Sequence, residues 1–365
     1  MHKLLHVAIS AAALLPAVTA QTYPQDLLGL TNSGTAVTLD SFTGVGQGIG
    51  PTGFTGHNAM ARIGATLYAT EQVGSGTAAQ YFLDSIDDAT GVATRIAALA
   101  RDLRALAPRS STTLFGVAQA TGSDELVQVN TQNGAITVIG PIGFGSVQGL
   151  TKVGGILYGW DLTAGLILVN SQTGVGTDVN PSVGNNGANI QFLTTLRNGS
   201  VIGGQNALYD IDVSTGVPDL NGSGQYNDLR GAEERFGVMY TFGTGCGITL
   251  NLLGTPTPGS TVTVRSAFHT PGTIGLLNIG FDDRHYMNVP LPLVLDSFLG
   301  TVGCTAYAGP EISVGTTASL FGVLSVPIAL PNISHGLIFH TQFLTLANVP
   351  GGLELSNGGT VRVHL

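Results

Sequence analysis

The sequence predicts an all-β protein in two parts, a five-bladed β-propeller over residues 21–238 followed by a disulfide-tied β-sandwich over 239–365. Three observations predict it. One turn motif recurs five times at a nearly constant spacing, each copy is flanked by the same β-patterned segments, and after Tyr240 the repeat stops and the composition changes. A fixed internal period of about 40 residues is the mark of an architecture built from one supersecondary unit.

The turn motif is Asp or Asn, two residues, Thr or Asn, then Gly. Its copies are DSFTG ending at Gly44, DDATG at Gly91, NTQNG at Gly134, NSQTG at Gly174 and DVSTG at Gly216, spaced by 47, 43, 40 and 42 residues. An acid or amide that caps the turn and a glycine that takes positive φ are what a tight strand-to-strand connection requires. β-Patterned runs lie on both sides, as in LVQVN at 126–130 and AITVIG at 135–140. Upstream of each turn sits a second element, LLGL at 27, LYAT at 67, LFGV at 114, LYGW at 157 and VIGG at 201. Four of these are preceded by a third, at 58–65, 105–111, 148–155 and 191–199.

Four short strands per repeat match a propeller blade. The first copy lacks its leading strand, and DLRGAEERFG at 228–237 follows the last copy with no partner of its own. That segment is predicted to complete the first blade and so close the ring and remove its edges. An open β-solenoid, or a sandwich with coincidental turns, is the competing architecture. RIAALARDLRAL at 95–106 reads as helical and is expected to be a loop insertion or a distorted strand.

Beyond Tyr240, TVTVRSAF at 261–268, IGLLNIGF at 274–281, LIFHTQFL at 337–344 and TVRVHL at 360–365 alternate apolar and polar residues between Pro- and Gly-rich turns, which is sandwich patterning. Cys246 and Cys304 are the only cysteines, and in an exported chain two cysteines are most simply one disulfide. Closing that loop contributes about 4 kcal/mol on the chain-entropy model. GTGCG at 243–247, PTPGSTVTV from 256, LPLVL at 291–295, LGTVGCTAY around Cys304, the glutamine of FHTQF and LSNGG at 355–359 resemble a C-terminal domain of exported bacterial proteins with variable N-terminal parts. The turn repeats are similar to degenerate secreted propellers of uncharacterised function. The resemblance implies architecture and export, and a domain shared by unrelated partners points to adhesion, assembly or sorting.

Residues 1–20 read as a secretory signal, with Lys3, an apolar run from Leu4 to Val18 broken by Pro16, and small residues before a cleavage after Ala20. The apolar run is too short for a spanning helix. Secretion, or a periplasmic or cell-surface location, is therefore expected. Without Lys3 a single lysine, Lys152, stands with eleven arginines against 22 acids. So few cations argue against nucleic acid and anionic lipid as partners. An extracellular glycan, matrix component or surface protein is the expected class. The 53 glycines accompany 43% apolar residues, which suits short strands rather than disorder.

Candidate chemistry is sparse. DLNGSGQYND at 219–228 resembles an oxygen-ligand calcium loop, with Asp219, Asn221, Ser223, Gln225 and Asn227 or Asp228 as ligands, although no bidentate glutamate closes it. Ordinary turn chemistry uses the same residue types. Three polar residues follow the second repeated element at similar offset, Glu71, Asp161 and Gln205, while Asp228, Glu233 and Glu234 lie by the closing strand. Paired carboxylates in a propeller funnel are the machinery of glycoside hydrolysis, so Glu71, Asp161 and Asp228 are the catalytic candidates, set against the simpler reading of a solvated rim. His285 near Asp282 and Asp283, and the pair His335 and His340, are metal candidates of ordinary surface or strand appearance. No G-x-S-x-G elbow, phosphate loop or H-E-x-x-H is present. The one tryptophan, Trp160, is expected in the core. The sequence thus favours a non-catalytic binding protein, with a carbohydrate-acting enzyme as the alternative.

Overall fold

The computed structural model describes residues 25–365 apart from 225 and 348, so the signal reading and Gln225 lie outside the described residues. The N-terminal part is five four-stranded antiparallel sheets, and the chain is all-β. Each sheet begins with an inner strand that contacts the inner strands of its two neighbours, in the cyclic order Leu229–Glu234, His57–Ile63, Leu103–Pro108, Val147–Val153, Phe192–Thr195 and back to Leu229–Glu234. This is the β-propeller arrangement. The first sheet is completed from the far end of the repeats. Leu229–Glu234 pairs antiparallel with Leu27–Thr31, Leu27 opposite Glu234, as the leftover segment predicts.

The hydrophobic residues show why the sheets form a ring. Each of five apolar clusters lies between two adjacent sheets, and Leu27, Leu39, Leu208, Phe192 and Leu229 join the fifth sheet to the first. Trp160, fully buried, belongs to the cluster between the fourth and fifth. An open array would leave one such face bare to water; closure buries it, and burial of apolar area is the main favourable term.

The five turns are built alike. In the third, Asn130 Oδ1 accepts from Gln132 N and Asn133 N at 2.9 and 3.3 Å, and Gly134 at φ 71° donates to Asn130 O. Glycine has a second reason to be there, since a Cβ on Gly134 would stand 2.5 Å from Ala98 O in the preceding sheet. At 95–106, which reads as helical in isolation, the expected loop insertion is absent and the strand alternative holds, with register shifts in both pairings. Those residues are the outer strand Ala93–Leu99, a short turn, and the next inner strand Leu103–Pro108. Their Ala and Leu have high helix propensity, but pairing within the sheets and burial of Leu99, Leu103 and Leu106 override it.

From Val238 onward the chain forms a sheet ordered Val238–Phe242, Gly358–Arg362, Ile338–Leu346, Ile274–Gly280, Ile312–Thr317, with Leu353–Leu355 also on Ile338–Leu346. A three-stranded sheet, Leu250–Leu253, Thr261–Ser266 and Leu324–Ala329, faces it. One apolar cluster including Val262, Val264, Leu277, Phe339, Phe343 and Val361 fills the space between. Cys246 and Cys304 are disulfide-bonded. Several of the motifs noted in the sequence lie beside this bond, Leu355 N donating to Cys246 Sγ at 3.2 Å. Buried Gln342 accepts from Tyr307 N at 2.9 Å and donates to Thr305 O and Ser356 O, both at 2.7 Å. Asn357 Oδ1 accepts from Leu250 N, and Tyr307 packs edge-on against Phe242 with its hydroxyl accepting from Thr244 N. These residues satisfy buried backbone groups, so their pattern is a structural requirement.

Candidate functional site

The inner strands run through the ring in one direction, so their first and last residues mark two ends. Between them Met60, Leu106, Leu150 and Leu193 close the passage and leave no volume for a water. Each end is therefore a separate site.

The first end receives most of the acids expected in a funnel. Glu71 lies opposite His57 and Asp161 opposite Val147, Gln205 follows Gly204 opposite Phe192, and Asp228 precedes Leu229. Each is engaged. Buried Glu71 is bound by Arg95 at 2.5 Å, whose guanidinium is sandwiched between Phe82 and Phe54. Asp161 accepts from the backbone of Ser146, Thr163 and Ala164 at 2.9 to 3.0 Å, which makes it a turn former. Asp228 is paired with Arg230 at 2.7 Å and accepts from Gln205 Nε2 at 2.8 Å; the pair holds its carboxyl below the usual range. Asp102 accepts from Asn58 Nδ2 at 3.1 Å and from Arg104 Nε at 3.3 Å. These groups form closed networks around the rim.

The second end is different. A recess of about 340 Å³ is lined by Arg62 and Lys152 from inner strands, Arg197 from the residues after one, Glu233 and the hydroxyls of Thr151 and Thr195, which are 2.7 Å apart. Phe236, buried beneath it, carries the guanidinium groups of Arg62, Arg197 and Arg362 at 5.3, 5.0 and 5.9 Å from its ring centre. Arg62 is anchored through Nη2 to Asp88 at 2.6 Å and to Glu234 O at 2.7 Å. Its Nε and Nη1 have no hydrogen-bond partner although the side chain is only 9% exposed. Among the described residues neither Lys152 nor Arg197 forms an ion pair.

The two glutamates of the closing strand part ways here. Glu234 accepts from Arg197 N at 2.9 Å and faces Arg362 at 3.6 Å. Glu233 accepts from Thr194 Oγ1 at 3.1 Å, and desolvation, which outweighs the nearby Arg62 charge, pushes its carboxyl up to about 8. It is thus mostly protonated at neutral pH, and it shares the recess with Glu234 and the C-terminal Leu365. Sequence reasoning singled out the two glutamates and missed Arg62, Lys152 and Arg197. The one available signal was that the only lysine past the predicted signal falls in a repeated inner-strand segment.

The residues read as a calcium loop are distributed. Asp219, Asn221 and Ser223 belong to the outer strand Pro218–Ser223, not to a loop. Asn221 bridges sheets, its Nδ2 donating to Ser41 O at 2.7 Å and its Oδ1 accepting from Asp210 N at 3.2 Å. Asp219, Ser223 and Asn227 are exposed, and Asp228 belongs to the Arg230 network. Among the described residues no group of three or more His, Cys, Asp or Glu is arranged to hold a metal ion. His285 and Asp282 lie at the surface 3.9 Å apart. His340 is buried against Thr360 Oγ1 at 3.0 Å, where desolvation lowers its pKa, while His335 precedes that strand.

No protein-family model and no curated protein matches the chain. Solved structures similar to it include a nidogen/laminin complex chain (11% identity, 58% of this chain and 98% of that one, TM-score 0.41). Two others are a gluconolactonase from Xanthomonas campestris (15%, 53% and 71%, 0.35) and a PQQ-bound aldose sugar dehydrogenase from Streptomyces coelicolor (13%, 66% and 84%, 0.35).

Proposed function

We propose that this is an exported, non-catalytic binding protein whose ring mouth engages a glycan or another extracellular surface component, with the C-terminal domain serving attachment or assembly. The observation that carries this reading is a contrast: the acids proposed for catalysis are consumed by their neighbours, whereas at the second mouth Lys152 forms no ion pair and Arg62 Nε and Nη1 have no hydrogen-bond partner. A hydrolytic pair needs two carboxyl groups facing one bond. Glu71 and Asp161 stand on different sheets and Asp228 just before the closing strand, each with its own partner. The Cys246–Cys304 bond supports an oxidising compartment, and no helix among the described residues is long and apolar enough to cross a membrane.

The test is retention of the full chain on immobilised extracellular polysaccharides and matrix proteins, with soluble sugar release measured in the same wells. Retention without release is expected; retention on none of them overturns the proposal. The alternative, a propeller enzyme acting on extracellular carbohydrate, draws on Glu233, whose raised carboxyl has the protonation state of a general acid. Sugar release that Glu233→Gln abolishes establishes it instead.

A further inference from the structure

We propose that the C-terminal sheets carry a binding site of their own, a recess that takes a neutral sugar ring, with Phe268 as the stacking face and Glu354 as the acceptor for its hydroxyl groups. The site is separate from the ring mouth and does not depend on it.

The recess, of about 600 Å³, opens where the strands Thr261–Ser266 and Ile338–Leu346 end, at the far end of the latter from Ile338, the residue opposite Arg362. Its lining includes Thr249, Phe268, His269, Thr270, Leu346 and Glu354. The volume falls inside the range of small-molecule sites. Neither Lys nor Arg lines it, so an anion meets no counter-charge there.

Phe268 carries the argument. Its side chain is 100% exposed, and its backbone stands at φ 69°, the left-handed region that bulky residues avoid. Folding gains nothing from a ring that stays in water. The loop that presents it is nevertheless fixed. His269 N donates to Gly322 O at 2.9 Å and Gly272 N to Ala318 O at 3.0 Å, which ties residues 267–273 to the neighbouring loop 318–323, and His269 Nε2 lies 2.8 Å from Ser266 Oγ. An aromatic ring held in solvent on an unfavourable backbone serves something outside the fold. The apolar face of a sugar ring covers such a surface, and Leu346, 69% exposed, extends it.

Glu354 supplies the polar half. The half-buried carboxylate forms no ion pair among the described residues. Its Oε2 accepts from Thr345 Oγ1 at a long 3.4 Å, and no hydrogen bond among the described residues reaches Oε1. Gly247, at φ 110°, leaves the carboxylate its place, since a Cβ there would stand 2.5 Å from Oε1. A free carboxylate oxygen accepts strongly from hydroxyl groups, and the exposed hydroxyls of Thr249 and Thr270 donate or accept beside it. An ammonium ion would use Phe268 and Glu354 but not the threonines; a sugar uses all of them.

The experiment is binding of the full chain to an array of neutral oligosaccharides of glucose, galactose, mannose and N-acetylglucosamine, then calorimetric titration with the best of them in the presence and absence of tetramethylammonium. At least one oligosaccharide is expected to bind, with no displacement by the cation. Phe268→Asn removes the ring and suits the left-handed backbone, so it is expected to weaken binding at least about tenfold while the melting temperature stays level or rises. Glu354→Gln is expected to weaken binding about fivefold. Absence of binding across the array, displacement by tetramethylammonium, or a melting temperature lowered in Phe268→Asn overturns the assignment. Full affinity in Phe268→Asn overturns it as well, and leaves the ring mouth as the place where the sugar is held.

Discussion

The two ends of the ring are made from the same five strands and pair their charges differently. At the first, Arg230 meets Asp228, Arg104 meets Asp102, Arg95 meets Glu71, and amides fill the gaps. At the second, Arg62 meets Asp88 but keeps Nε and Nη1 unbonded, and Lys152, without an ion pair, shares its recess with Glu233 and Glu234. A polar group that is fully bonded in the folded chain has little left to offer a ligand.

The largest effect should come from the group that ties the second end to the C-terminal sheets. Arg362, 5% exposed, faces Asp26 at 4.0 Å and Glu234 at 3.6 Å and donates to Arg235 O at 3.2 Å. Arg362→Met leaves two buried acids uncompensated and is expected to cost about 3–5 kcal/mol in denaturant unfolding, as broken buried pairs do. A loss under about 1 kcal/mol would show that this junction is no more committed than the open recess.

Replacing both cysteines by serine should cost somewhat less, about 2–4 kcal/mol, with the transition of the C-terminal part lowered before that of the ring. A single transition shifted as a whole would mean that the two parts unfold as one cooperative unit.

Acidity probes both ends without mutation. Glu233 is raised from 4.5 to about 8, Asp84 from 3.8 to about 7 and Asp40 from 3.8 to about 6, each chiefly by desolvation. Such groups bind their proton more tightly folded than unfolded. Their stabilising contribution is complete below pH 4 and is lost as pH rises through the folded values. Stability limited by these groups should thus fall between pH 4 and 8, and Glu233→Gln should raise the melting temperature at pH 9 while changing it little at pH 4. The groups that bear on Glu233 are Arg62, Glu234 and Asp88, with Lys152 and Arg197 sharing its recess. A melting temperature unmoved at pH 9 would place Glu233 in water and remove the contrast with the first end.

Smaller still, Arg230→Gln at the first end breaks a half-exposed pair and should cost under about 1 kcal/mol while leaving any ligand affinity intact. Loss of binding in that variant would put the site at the wrong end. Millimolar calcium should leave the melt unchanged, because Asn221 is already committed to Ser41 and Asp210. A transition raised by calcium and lowered by chelator would restore the Asp219 site.

Much of the fold was legible because its signals are local. The capping Asp or Asn and the Gly of each turn act within five residues, so five copies are visible without knowing what they pack against. The unpaired segment at 228–237 even foretold the closure on Leu27–Thr31. Where local preference and tertiary packing disagree, local reading failed. The Ala- and Leu-rich 95–106 looks helical in isolation but contributes two strands whose partners lie on either side.

The site was less legible. Glu71 and Asp161 look alike by offset, yet one is held by an arginine from an outer strand and the other by its own turn, and neither fact is encoded in spacing. Arg62 and Lys152 are about 90 residues apart in the chain and share a recess only because the ring closes.

By itself the sequence determined the repeat, the all-β class, the likeness of the five turns and the pairing of Cys246 with Cys304, since each depends on residue type at short range or on simple count. Tertiary structure alone decided which charges are satisfied. Desolvation and hydrogen bonding depend on what surrounds an atom in three dimensions, and those neighbours come from different sheets and from the far end of the chain.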